Sequence, residues 1–184
     1  MKILIYKSLK GLNKMIIRRE VSEDYNTIYS LVKTVFSLSE HSDGNEQNLV
    51  NSLRKSDSFI PELSLVAEID GALVGHIMFT KAYINEYTVL ALAPLSVLPK
   101  YQKNGIGTAL INEGHIKAKY LGYDYSIVLG SEKYYSKLGY VPAKIFGIKS
   151  PFDLPGEKFM AYKLQENTPI INGVVKYAKE FGIN

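Results

Sequence analysis

A chain of 184 residues with 46% apolar and 22% charged side chains has the size and balance of one globular domain. It has no cysteine, which excludes disulfides, a thiol nucleophile and Cys-based zinc sites, and His41, His76 and His115 are too scattered for a metal-ligand spacing. The net charge of +4 resides in Lys2, Lys7, Lys10 and Lys14, in a stretch free of acids; the remainder is neutral and lacks the basic face of a nucleic-acid binder.

Met1 to Lys14 reads as a frayed, flexible extension, or as an upstream start ahead of a domain that opens at Met15. Lysines interrupt any apolar core there, so it is not a signal peptide, and no run is long enough to span a bilayer. Cytoplasm is the default location. Met15 to Arg19 is a short strand. Ser22 offers an N-cap to a helix marked by Tyr25, Ile28, Tyr29, Val32, Val35 and Phe36. Asp43 to Glu46 has the capping-box spacing and opens a second helix with Leu49, Val50 and Leu53 on one face. Pro61 breaks the pattern. Leu63 to Ile69 and Ala72 to Phe79 form a hairpin across Asp70-Gly71, and Asn85-Glu86 turns the chain into an apolar strand ending at Val97. A long helix runs from Ile106 to about Gly122. Ser126 to Leu129 is a short strand, Glu132 to Leu138 a short helix closed by Gly139, and Phe159 to Leu164 a last strand. The order β-α-α-β-β-β-α-β-α-β-β gives a single α/β domain over residues 15–184 with a mixed sheet.

The junction from Leu95 to Leu110 carries the chemistry. An apolar strand stops at Pro99, a polar turn follows, and Gly105 and Gly107 open the long helix. Glycines let backbone approach a ligand closely, and the free N–H groups of a first helical turn form an anion site, so a phosphate-bearing ligand fits. A helix that merely begins with glycine explains the two residues equally well. Thr108 follows Gly107 with no lysine, which excludes a Walker loop, and Leu110 stands where a dinucleotide fingerprint needs its third glycine. Pro94 inside the strand argues for a bulge or a parting of neighbours.

Gln102-Lys103-Asn104-Gly105-Ile106-Gly107 resembles the acetyl-CoA pyrophosphate loop of the GCN5-related N-acetyltransferases (GNAT). Leu95-Ser96-Val97 is similar to the strand segment that holds pantetheine in that family, and Tyr134 to Tyr140 to its Tyr-x-x-Leu-Gly-Phe ending, whose tyrosine often acts as general acid. The likeness runs from Met15 to about Leu164. His41 to Glu46, Pro94-Leu95 and Gly173 to Gly182 resemble the bacterial YhbS-like subgroup, from which Ser131 departs at a position expected to be His.

The resemblance implies a GNAT fold with splayed central strands. It implies acetyl-CoA as co-substrate, held by Gln102, Lys103, Asn104, Gly105, Ile106, Gly107 and Thr108 and by the backbone of Leu95, Ser96 and Val97, with no metal. The reaction implied is direct attack of a primary amine on the thioester, with backbone N–H groups meeting the oxyanion and Tyr135 protonating the thiolate. Core packing is the competing role for Tyr135. For the base, Glu46 is the first candidate, because the region between the first two helices forms the acceptor wall in the family; it is equally the last member of a capping box. His41 has a suitable ordinary pKa, whereas His76 alternates with buried strand positions and reads as structural. The strand from Val89 to Val97 lacks the Glu that many members carry. Lys100 and Lys103 would meet the 3′-phosphate or be solvated. A small-molecule or peptide amine is the expected acceptor, in a monomer or homodimer without membrane or nucleic-acid partner. The alternatives are a non-catalytic acyl-CoA-binding regulatory module and an acyltransferase using a longer acyl-CoA.

Overall fold

The computed structural model describes residues 4–6, 14–38, 42–153 and 155–183. In chain order its elements are β1 (Leu4–Tyr6), β2 (Met15–Arg19), α1 (Tyr25–Phe36), α2 (Glu46–Leu53), β3 (Phe59–Ile69), β4 (Ala72–Ile84), β5 (Tyr87–Val97), α3 (Ile106–Tyr120), β6 (Tyr125–Leu129), α4 (Glu132–Tyr135), β7 (Val141–Pro142), β8 (Ile148–Lys149), β9 (Phe159–Lys163) and β10 (Gly173–Val174). An eight-stranded sheet has the order β1-β2-β3-β4-β5-β6-β9-β7, and β8 pairs with β10 apart from it. Within the large sheet, β5 and β6 make its one parallel contact among the described residues. The mixed α/β fold expected from the sequence is the one observed.

Local chemistry sets the antiparallel half. Asp70 and Gly71 both take left-handed φ values, 50° and 78°, as a two-residue hairpin turn demands, and the strands pair from Ile69↔Ala72 onward. Several local expectations are corrected. Pro61 lies inside β3 rather than ending an element: the register shifts between Phe59 and Ser64, so its missing N–H falls where the ladder is already irregular. Leu4–Tyr6 pairs antiparallel with β2, an edge strand within the stretch read as a frayed extension. Ser22–Asp24 forms a single 3-10 turn, and Asp24 rather than Ser22 caps it, accepting the Val21 N–H at 2.8 Å and two bonds from Arg18. The capping box at residues 43–46 is replaced by turns in which Asp43 accepts the Asn45 N–H at 2.9 Å.

The sheet is covered on both faces. On one, α3 lays Ile106, Leu110 and Ile111 against Leu65, Ile77 and Phe79. Gly114 is the contact that sets the depth, since a Cβ there would meet Phe79 Cε2 at 2.3 Å. Buried with them is a neutral polar chain: His115 Nε2 and Tyr140 Oη lie 2.9 Å apart, and Tyr140 Oη and Ser126 Oγ 2.7 Å apart. On the other face, α1 and α2 bury Ile28, Leu31, Val32, Val50 and Leu53 over Val66 and Met78, while residues 143–178 cover the β6 and β9 end. Here the buried polar groups are charged: Arg54 Nε and Nη2 donate to the two oxygens of Glu20, each at 2.8 Å, and the Arg54 guanidinium lies 4.0 Å over the Tyr25 ring.

Candidate functional site

The sheet divides at β5. Toward β4 it is laddered from Ile84↔Tyr87 to Gly75↔Val97, with one register shift beside Pro94, between Phe79↔Leu92 and Ile77↔Leu95. Toward β6 only Leu90↔Ser126 and Ala91↔Ile127 pair, and the strands then part. Both devices foreseen at Pro94, a bulge and a parting, are present. Leu98 donates its N–H to Val74 O at 2.9 Å. Alternation along the strand therefore turns the backbone of Ser96 toward β4 and that of Leu95 and Val97 toward the open edge.

At the end of β5 the chain makes a 3-10 turn, Pro99–Tyr101, and enters a loop stiffened by its own side chains. Gln102 Nε2 donates to Val97 O at 2.9 Å, and Asn104 Nδ2 donates to Tyr101 O and Gln102 O at 3.3 and 3.1 Å. Lys103 and Gly105 have φ values of 61° and 81°, and the helical ladder begins with the Ala109 N–H on Gly105 O. The N–H groups of Ile106, Gly107 and Thr108 thus precede the first helical bond, at the positive end of the 15-residue α3. They open on a cleft of about 530 Å³ lined by Leu95, Val97, Tyr101, Gln102, Lys103, Gly105, Ile106, Gly107, Thr108, Val35, Tyr134 and Lys137. Two lysines and no acid line it, which suits an anion.

The structure brings together most of the residues singled out from the sequence. Asn104 holds the loop without lining the cleft, and Ser96 points away from it, 1% exposed, with its Oγ unpartnered. The tyrosines of α4 divide differently from expectation. Tyr134 lines the cleft, so close that a Cβ on Gly107 would lie 2.7 Å from its hydroxyl. Tyr135 stands behind it in the core, edge-on to Tyr134 and Tyr140 at ring separations of 5.1 and 5.4 Å. Burial pushes the pKa of both up, Tyr135 the more strongly, so each hydroxyl keeps its proton through neutral pH. Tyr134, Lys137 and Val35 are lining residues that sequence reasoning missed. The adjacent pair Tyr134-Tyr135 was the signal for the first; Val35 is marked only by its helical spacing.

Of the candidate bases, Glu46 opens α2 with Oε2 accepting from Ser42 Oγ at 2.8 Å, and it does not line the cleft. His41 lies outside the described residues. His76 is fully buried on β4. Among the described residues no group of His, Cys, Asp or Glu could hold a metal ion, and no helix is long and apolar enough to cross a membrane.

Comparisons with known proteins bear on this site. A family model described as an acetyltransferase (GNAT) domain matches residues 61–142, from β3 through α3 to β7. The uncharacterized N-acetyltransferase YjhQ of Escherichia coli K12 is 37% identical over 128 residues, covering 67% of this chain and 71% of that protein. The uncharacterized N-acetyltransferase YhbS of the same organism is 29% identical over 171 residues, 91% of this chain and 98% of that protein. Among solved structures, YhbS of E. coli in complex with CoA superposes with a TM-score of 0.82 at 25% identity, covering 96% of each chain. A GNAT family acetyltransferase of Brucella melitensis in complex with acetyl-CoA superposes at 0.76 with 30% identity, covering 91% of this chain and 97% of that one.

Proposed function

Because the chain belongs to the GNAT family of acetyltransferases, we propose that its open strand edge and glycine loop together bind acetyl-CoA and that it transfers the acetyl group to a primary amine by direct attack. One observation carries this reading: the parting of β5 from β6 leaves the N–H groups of Leu95 and Val97 without a strand partner, in line with the free N–H groups of Ile106, Gly107 and Thr108. Pyrophosphate sits on the loop, with Lys103 and Lys137 for its charge. Pantetheine lies along the open edge, and the developing oxyanion meets the Leu95 and Val97 amides, where hydrogen bonds form with no reorganisation.

The departing thiolate takes its proton from α4. Tyr135 has the family's place in Tyr-x-x-Leu-Gly-Tyr, and among the described residues no hydrogen bond engages its hydroxyl. A second reading is favoured by a specific observation: Tyr134, not Tyr135, lines the cleft. Tyr→Phe at each position separates them, since Phe keeps the ring. The donor's Phe variant should bind acetyl-CoA normally, melt normally and turn over roughly 10²–10⁴ more slowly; the other should match wild type.

The experiment for the reaction itself is thiol release from acetyl-CoA over a panel of primary amines. Acetyl-CoA binding without amine-stimulated release supports the regulatory-module reading instead, and faster release from longer acyl thioesters supports the other alternative.

A further inference from the structure

β5 brings no acid to the reacting centre, and Glu46 is engaged elsewhere, yet an alkyl ammonium must lose a proton before it attacks. A buried base lies one strand away. His76 and Ser96 are directly opposed across β4 and β5, so their side chains share the face beneath α1 and α2. Imidazole Nε2 lies 3.2 Å from Glu20 Oε2 and 3.2 Å from Ser64 Oγ. Glu20 is itself fixed by the two bonds from Arg54. Burial opposes ionisation of Glu20, but its hydrogen bonds to Arg54 and His76 outweigh burial and hold its pKa down to about 2. A carboxylate accepts only, so Nε2 carries the proton and Nδ1 is left with a lone pair. Burial holds His76 neutral, against the pull of Glu20. Nδ1 and Ser96 Oγ are both buried with no hydrogen-bond partner among the described residues. Such atoms are costly in a native interior, and here two of them belong to facing residues.

We propose, resting on the acetyl-transfer reading, that Ser96 and His76 form a proton relay for the acceptor amine, with Glu20 and Arg54 as its positioning groups. Ser96 sits between Leu95 and Val97, whose amides face the open edge, and its side chain leaves the sheet on the face opposite α3. A turn of the Ser96 side chain to another rotamer, or one bridging water, would join Oγ to Nδ1. In the step, an N–H bond of the ammonium breaks as an O–H bond forms on a bridging water, that water passes one of its own protons to the buried Oγ, and the Oγ proton passes to Nδ1. The neutral amine keeps the electron pair for attack, and the imidazolium rests against the Glu20 carboxylate. Release of the proton by the same path resets the site. The charged and titratable groups acting on His76 are Glu20, Asp24 and Arg54, with Ser64 and Ser96 as its neutral neighbours.

The test uses the full chain, acetyl-CoA and four probe amines: lysine methyl ester, spermidine, glucosamine and an alanine-initiated tetrapeptide. His76→Gln keeps a donor toward Glu20 and removes the base; Ser96→Ala removes only the hydroxyl. Both should bind acetyl-CoA as wild type does by calorimetry. Both should lose about 10²-fold in kcat at pH 7, with the loss shrinking as pH rises toward the amine's own pKa, about 8 for the peptide terminus and about 10 for an alkyl amine such as the lysine ε-amine. If His76→Gln fails to fold, Ser96→Ala carries the same readout. Parallel pH profiles for wild type and Ser96→Ala, with chemistry rate-limiting, overturn the relay alone. Wild-type protein that binds acetyl-CoA but releases no thiol with any probe amine overturns the transfer reading and the relay with it.

Discussion

Each face of the sheet buries a histidine, and the two are treated differently. On the α3 face His115 is stacked on Tyr162 with ring centroids 4.2 Å apart, and its Nε2 meets the hydroxyl chain of Tyr140 and Ser126. None of these partners is charged, and burial lowers the His115 pKa to about 4. Under α1 and α2, His76 instead faces a carboxylate and a guanidinium and keeps one nitrogen without a partner. A neutral chain of this kind fixes packing. A charged one with a vacant bond stores a capacity to move protons, at a cost the fold must offset. The proposed ligand-holding groups and the proposed base thus lie on opposite sides of one strand, β5.

The sharpest way to break this contrast is to remove charge from one side. Glu20→Gln leaves Arg54 buried without its counter-ion and should cost about 3–5 kcal/mol, roughly 10 °C in melting temperature. His115→Phe, with Tyr140 still bonded to Ser126, should cost only about 1 kcal/mol. Equal losses in calorimetric melting would erase the distinction between the two networks.

Next in size is Gly107→Val, which acts on the α3 face alone. The branched side chain fills the anion site and collides with the Tyr134 hydroxyl, a flexible end that can shift. Acetyl-CoA affinity should fall by about 100-fold or more, close to 3 kcal/mol, with the melting temperature of the free protein unchanged. Unchanged affinity in a folded variant would remove the loop from the site.

Acid unloads the buried groups in two pH windows. A histidine whose folded pKa lies below its unfolded value stabilises the fold above about pH 6.5 and ceases to as pH falls, so His115 alone withdraws up to about 3 kcal/mol between pH 6.5 and 4. Glu20, also depressed, holds its contribution above about pH 4.5 and loses it toward pH 2. Urea midpoints should therefore fall in two stages, the upper one shared by His115 and His76, whose pKa burial also lowers, and His115→Phe should shrink the upper stage without abolishing it; a single step below pH 4.5 in wild type would contradict this.

The smallest effect is expected at the edge. A chain beginning at Met15 lacks the three-residue β1 and should lose less than about 1 kcal/mol, or 2–4 °C, with turnover intact. A larger fall would show that the leader supports one of the two faces.

What could be read from the sequence was what depends on neighbours along the chain. The Asp70-Gly71 hairpin, the disruption at Pro94 and the glycine loop all follow from backbone chemistry within a few residues. The choice between Tyr134 and Tyr135 was not legible, because successive helical residues point about 100° apart and only packing against Gly107 and Gly130 decides which meets the cleft. Nor was the Glu20, Arg54 and His76 cluster, whose members come from three distant elements and carry no common spacing. Pro61 misled for a related reason, since an irregular register tolerates a residue that a regular ladder rejects.

The seam between β5 and β6 has a further consequence. With only Leu90↔Ser126 and Ala91↔Ile127 paired, the antiparallel half and the β6–β9 half are hydrogen-bonded at one end and separate at the other. A pantetheine arm lying there, as proposed, would supply rungs that the chain itself omits, so the occupant would be a strut as well as a reactant. At about 100 times its dissociation constant such a ligand adds about 2.7 kcal/mol to the folded state. Amide hydrogen exchange at Leu95 and Val97 would then slow as acetyl-CoA accumulates and quicken as it is spent, which would make the rigidity of this protein a gauge of its cofactor supply.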